Sequence, residues 1–303
     1  MLKKASRLRV SIGVTSYNEE RNIANILQSL LKQKLKSGVI SEIMVISSGS
    51  TDGTNKIVRR LKRKNPKIRL ILQKKRFGKA SAVNVLLSNS IEDIIILSSA
   101  DLLIPPNTLE RIIRPLFNNN IGIVGSHPIP INDPKTFFGY AAHLMWKLHH
   151  QISLNSPKMG EFIAFRKIFK QIPNTSSVDE ASIEALIRGQ GYKAVYAPSA
   201  IIYNKGAESI NEFISRRRHI FAGHLETKNH YSYKVSTISV SKILIALIKN
   251  FNLSKQFIFW TPFVIILEAF SRFLGFIDYK LYPKKHVVWK VTPSTKRLSK
   301  ISL

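Results

Sequence analysis

The segment IIILSSAD, residues 94–101, runs from large aliphatic side chains through small polar residues to a single carboxylate, Asp101. An unbroken β-branched run suits a strand buried on both faces of a parallel sheet, and open α/β folds place ligands at the carboxyl ends of such strands. Asp101 is therefore predicted at the mouth of the main crevice, where a carboxylate can hold a divalent cation through its oxygens. Taken alone, the same acid could equally cap or solvate a loop. Chemistry is favoured only if other polar loops converge on it. One such loop is SSGSTDGT, residues 47–54, with free backbone N–H groups at a helix start, suited to an anion or a ribose.

Alternating strands and helices must position these loops. Val10, Ile12 and Val14 mark a first strand, and the turn TSYNEE follows, leading to a helix carrying Ile23, Ile26, Leu27 and Leu30. Further strands are predicted at residues 43–46, 68–72 and 94–97, separated by helices and by the loop KKRFGK at residues 74–79. This order indicates βαβ units, hence an α/β fold with a mostly parallel sheet, helices on both faces and four loops converging on one edge. Beyond a fifth strand at residues 121–124 the pattern loosens. Helices are predicted near 137–151, 179–189 and 210–225, with a short strand in GEFIAFRK and one or two strands over 194–203. Residues 1–235 are read as a catalytic domain, and residues 236–303 as hydrophobic and amphipathic helices with a basic tail.

The 44% hydrophobic content excludes disorder, and the absence of cysteine excludes disulfides, thiolate zinc sites and a cysteine nucleophile. The N-terminus shows no apolar stretch of a cleavable signal peptide. A net charge of +29 implies an anionic partner, but no helix-turn-helix, zinc or RNP-type pattern points to specific nucleic-acid binding. Residues 257–277 are long enough to span a bilayer and are interrupted by Glu268 and Arg272. Thirteen Leu, Ile, Phe or Val side chains favour insertion by about 0.3–0.6 kcal/mol each, while each charge opposes it by about 2.5–3.5 kcal/mol, so the two nearly cancel. Glu268 and Arg272 are spaced to pair. Lys249, Lys255, Lys280, Lys284 and Lys285 flank both sides, so these helices are predicted to lie in or dip into the cytoplasmic leaflet as a peripheral or monotopic anchor.

The ordered series TSYNEE, SSGSTDGT, FGKASAVN, SSAD-LLIPP and VDEASIEALIRGQGYKAVYAP resembles family 2 glycosyltransferases of the GT-A, nucleotide-diphospho-sugar transferase fold, over about residues 8–225. The resemblance implies that Ser16, Tyr17 and Glu19 contact the base and ribose, and that Ser48, Asp52 and Ser99 belong to the donor-nucleotide site. It implies that Lys79 contacts the nucleotide or its diphosphate, where a cation stabilises the departing charge. Asp101 takes the place of the family's metal-binding second acid in Asp-x-Asp, for Mn2+ or Mg2+. Glu180 or Asp179 takes that of the general base, and Arg218 is placed to clamp a diphosphate or acceptor phosphate.

This chain departs from the family pattern in three places. Ser47 and Ser48 stand where two aspartates are usual, and Ser99 replaces the first acid of Asp-x-Asp, which implies a donor not based on uridine, weak metal binding or impaired activity. Residues 215–219, SRRRH, stand where processive members carry Gln-x-x-Arg-Trp. The expected activity is thus inverting, non-processive transfer from a nucleotide-sugar to a membrane-associated acceptor, lipid-linked or a glycan. Two alternatives are a catalytically impaired relative that binds anionic surfaces and a nucleotidyltransferase. The latter would need a glycine-rich first loop, and TSYNEE has no glycine.

Overall fold

Val10, Ile12 and Val14 are fully buried on one face of strand β1 (Leu8–Ser16), while on the other face Gly13 packs against Leu86 too closely to admit a Cβ. The strand is central because it can bury both sides. In the computed structural model, which describes residues 7–282 and 288–298, β1 is flanked by β2 (Gly38–Ser48) and β4 (Ile94–Ser99), both parallel to it. With β3 (Ile68–Gln73), β5 (Ile121–Pro130), β6 (Phe162–Arg166) and β7 (Lys193–Asn204) they form one sheet in the order β3-β2-β1-β4-β6-β5-β7. The sheet is mostly parallel, and β6 is the exception, antiparallel to both neighbours.

The four aliphatic residues of β4 divide as expected for a strand buried twice. Ile94 and Ile96 join one core with helices α1 (Ile23–Leu31), α2 (Thr54–Lys64) and α4 (Thr108–Ile113). Ile95 and Leu97 join the other, with α3 (Lys79–Asn89) and α6 (Asp179–Gly189). The registers Ser16↔Ser47 and Thr15↔Ser99 bring the carboxyl ends of β2, β1 and β4 level, so their loops meet at one edge. β5 continues to Pro130, well past the expected end, because β7 pairs with its second half. The segment at 194–203 is a single strand.

Helices α5 (Phe137–Asn155), α7 (Ile210–Tyr231), α8 (Val240–Lys249) and α9 (Lys255–Leu281) pack together beside that edge. The packing of α9 differs from that of an ordinary amphipathic helix. Its buried residues are Thr261, Val264, Ser271, Gly275 and Asp278, and Glu268 falls on the same stripe, at alternating spacings of three and four. Gly275 lies so close to α7 that a Cβ there would be 2.5 Å from the Arg218 carbonyl oxygen. The large side chains Phe259, Phe263, Ile266, Phe270 and Phe273 face outward, exposed. The charges counted against insertion thus face α7. Among the described residues α9 alone has the length and composition to cross a membrane. Lys284 and Lys285 of the predicted basic flank lie outside the described residues.

Candidate active site

Two loops interlock to build the donor side. Asn18, at φ 51°, donates its backbone N–H to Ser50 Oγ (3.1 Å) and accepts from Thr51 N at Oδ1 (2.8 Å). Glu20 accepts from Gly53 N, and the Thr54 hydroxyl accepts from Glu19 N. Asp52 belongs to this fastening and does not line the cavity. Its carboxylate accepts from Thr54 N (3.0 Å) and Glu20 N (3.1 Å), and these bonds, with that from the Thr54 hydroxyl, hold its pKa down against the effect of burial. The residues held in place are Ser16, Tyr17 and Glu19, which line a cavity of about 650 Å³ together with Ser48, Lys79, Ser99, Asp101, Asp179 and Glu180. Two of the three serines that replace the usual acids are engaged by neighbours: Ser47 donates to Ser50 Oγ and Ser48 to Gln73.

Gly78 adopts φ 95°, a left-handed geometry suited to glycine, and sets Lys79 at the start of α3. The Lys79 ammonium lies 2.7 Å from Glu180 Oε1 and 3.1 Å from Asp179 Oδ1, in the first turn of α6. The two acids divide in character. Burial raises Glu180, but the charge and hydrogen bond of Lys79 outweigh it and hold the carboxyl below its ordinary range. Asp179 is pushed up to about 7 by burial and by its charged neighbour. Glu180 is therefore the more readily ionised of the two.

Asp101 stands at the end of β4 with no ion-pair partner among the described residues. Its charge helps to raise Glu161, and with burial pushes Glu19 up to about 7, against the pull of Lys296. An unpaired carboxylate close to two further acids fits a divalent cation. Magnesium-like ions need one or two carboxylates and complete their shell with substrate phosphates and water. Among the described residues no three acids or histidines are grouped to chelate an ion, so Asp101 would hold a divalent ion only together with groups from outside the chain.

As with Asp52, the structure corrects the place expected for Arg218. Arg218 turns away from the cavity and forms a two-point pair with Asp278 of α9, because each residue along α7 rotates by about 100°. Arg216 and Arg217 face inward instead, paired with Glu161 (3.2 Å) and Glu268 (2.6 Å). His127 stacks on His150 and accepts a structural role, with ring centroids 4.1 Å apart.

Sequence reasoning did not single out Arg76, Lys158, Glu161 or the segment 288–298. Arg76 lies over the Tyr17 ring (4.2 Å) and donates to the Trp289 carbonyl (2.6 Å). Trp289 donates to Ser177 O (2.8 Å), and Lys296 reaches Tyr17 O (2.7 Å) and Glu19. Residues 288–298, read from the sequence as part of a basic tail, thus strap across the donor side. Nothing periodic in the sequence marks them.

Fold and site together define a GT-A enzyme of the sugar-transferring class. Residues 11–179, more than half of the chain, match the family model for glycosyl transferase family 2, and the chain belongs to that family. A dolichol-phosphate mannosyltransferase from Pyrococcus furiosus is 27% identical over 119 residues, covering 39% of this chain and only 33% of the relative. A mannosyltransferase from Pyrobaculum calidifontis, solved with GDP-mannose and Mn2+, superposes with a TM-score of 0.65 at 20% identity, covering 91% of this chain and 88% of that one. Glucosyl-3-phosphoglycerate synthase from Mycobacterium tuberculosis, solved with Mn2+ and UDP, gives 0.51 at 20% identity over 74% and 81%. At these identities the two structures bear on the fold.

Proposed function

We propose that this glycosyltransferase moves one sugar, with inversion, from a nucleoside-diphosphate sugar to a lipid-linked acceptor at the cytoplasmic face of a membrane. One observation carries the reading. The cavity is continuous from the donor loops, past Glu180, to an apolar wall built by Leu148, Ile243, Leu247 and Val264 of α5, α8 and α9. The outer faces of α8 and α9 expose Leu244, Ile248, Phe259, Phe263 and Phe273, an apolar surface of the kind that meets lipid, on a chain whose +29 charge suits an anionic leaflet.

Donor binding falls to the first-loop residues and to Ser48 and Ser99, with Arg76 against Tyr17. A divalent ion held by Asp101 would neutralise the diphosphate as it leaves. The acceptor oxygen attacks the sugar carbon from the opposite side. Its bond forms as the bond to the diphosphate breaks, and the electron pair leaves with the diphosphate. Glu180 takes the proton when the acceptor is a hydroxyl, and has none to take from a phosphate oxygen. Lys79 keeps Glu180 ionised. Single addition is supported by the SRRRH stretch, whose three arginines tether Glu161, Glu268 and Asp278.

The test is transfer from a panel of GDP-, UDP-, dTDP- and CMP-sugars, with Mn2+, to citronellyl phosphate in detergent. The product is extracted and its anomer read by NMR. One added sugar of inverted configuration is expected. Transfer only to water-soluble sugars would overturn the lipid reading, and a ladder of products would overturn single addition.

A further inference from the structure

Lys158, in the loop between α5 and β6, lines the cavity and has no ion-pair partner among the described residues. The charged groups that act on it are Glu180, Arg217, Glu184 and Glu161. Each acid in that group already has a cation of its own: Glu180 has Lys79, Glu184 has Arg188, and Glu161 has Arg216. Arg217 and Arg272 are both bound to Glu268. Lys158 is thus the surplus cation of this half of the cavity, and none of the neighbours just named comes from the β1 or β2 loops. Beside it stands His224, 4% exposed, lining the cavity, with Nε2 buried and without a hydrogen-bond partner. A half-buried ammonium without a counter-ion and an unsatisfied buried imidazole nitrogen are unfavourable together unless a ligand completes them.

We infer that Lys158, assisted by His224 Nε2, is the receptor for a phosphate monoester on the acceptor, placed between the apolar wall and Glu180. The inference rests on the lipid-linked reading above and specifies the chemistry of the head group. The two residues suit it: an ammonium is a point charge that grips a phosphate while leaving one of its oxygens free to attack. In that step the phosphate oxygen forms its bond to the sugar carbon, the donor diphosphate departs with the electron pair, and no proton moves. Lys158 then fixes the nucleophile without consuming it. The apolar wall beyond takes the hydrocarbon.

The experiment titrates citronellyl phosphate and citronellol into the full-length protein in detergent, comparing wild type with Lys158→Met, Lys158→Gln and Lys158→Arg by calorimetry. Wild type is expected to prefer the phosphate at least about tenfold, the scale of one charge-assisted contact. Lys158→Met and Lys158→Gln should lose that preference with citronellol binding unchanged, and Lys158→Arg should regain most of it. Removing an unpaired cation should leave thermal stability equal or higher, so citronellol binding and the melting temperature report intact folding. Phosphate preference that survives in Lys158→Met overturns the assignment while leaving the lipid reading in place. So does equal wild-type affinity for alcohol and phosphate. Failure of wild type to bind either compound overturns the lipid reading and, with it, this inference.

Discussion

Replacing Lys79 by methionine removes a cation that two buried acids share while keeping the aliphatic stem. At 2.7 Å and 3.1 Å, the gross attractions to Glu180 and Asp179 are each about 5–6 kcal/mol for an effective dielectric of about 20. Desolvation offsets much of this, and the measured penalty for removing one partner of a buried pair is about 3–5 kcal/mol. At about 2–4 °C per kcal/mol for a domain of this size, the melting temperature should fall by roughly 6–20 °C at pH 8. The loss must depend on pH, with a definite sign. Glu180 is held below its unfolded value by Lys79, so in wild type it contributes stability above that value and loses it as pH falls through the folded pKa. Without Lys79 both acids are raised, and the variant loses stability as pH climbs from about 4.5 through 7. The gap between variant and wild type should therefore narrow at pH 5 and be full at pH 8. Scanning fluorimetry at the two values decides it. A loss of equal size at both would mean that Lys79 acts by packing, and no loss would remove the ion triad from the account.

Other outcomes follow from the same geometry. Glu180→Gln should cut turnover of a hydroxyl acceptor by about 10²–10⁴-fold but that of citronellyl phosphate by under about tenfold, since only the former gives up a proton. Asp179→Asn, at the acid pushed up to about 7, should cost less with either acceptor at pH 6, in initial-rate assays. Asp101→Ala should abolish the Mn2+-dependent part of the thermal shift given by a nucleoside diphosphate, a stabilisation worth about 2.7 kcal/mol at 100 times Kd; metal removal by EDTA should reproduce this in wild type. Changing Phe259, Phe263, Phe270 and Phe273 together to serine should leave the melting temperature unchanged, because all four are exposed, yet weaken flotation with phosphatidylglycerol vesicles by roughly a hundredfold or more.

The strands and the acidic pair were readable because their signals are local. Ile94 to Leu97 announce burial on two faces, and the acids at 101, 179 and 180 follow elements whose ends the sequence marks. Asp52 and Arg218 were misplaced for the opposite reason. Whether a loop acid faces a ligand or a neighbouring backbone N–H, and which of three consecutive arginines faces a cavity, depends on packing between α7 and α9 and between two loops distant in sequence. Lys158 and Glu161 stand in a connection with no period at all.

Helix α9 shows a subtler limit. Summed over residues 257–277, the apolar side chains and the two charges nearly cancel, and the sum says little. Position resolves the balance: Thr261, Val264, Glu268, Ser271, Gly275 and Asp278 recur every three or four residues, a polar and small-residue seam within an otherwise apolar helix. That spacing places all six on one side, where Glu268 meets Arg217 and Asp278 meets Arg218, and leaves the phenylalanines on the other. The charges that oppose insertion of an isolated helix are the ones that bind this helix to the enzyme. The exposed phenylalanines, the cavity wall at Val264 and the acids that meet the α7 arginines are consequently carried by one helix.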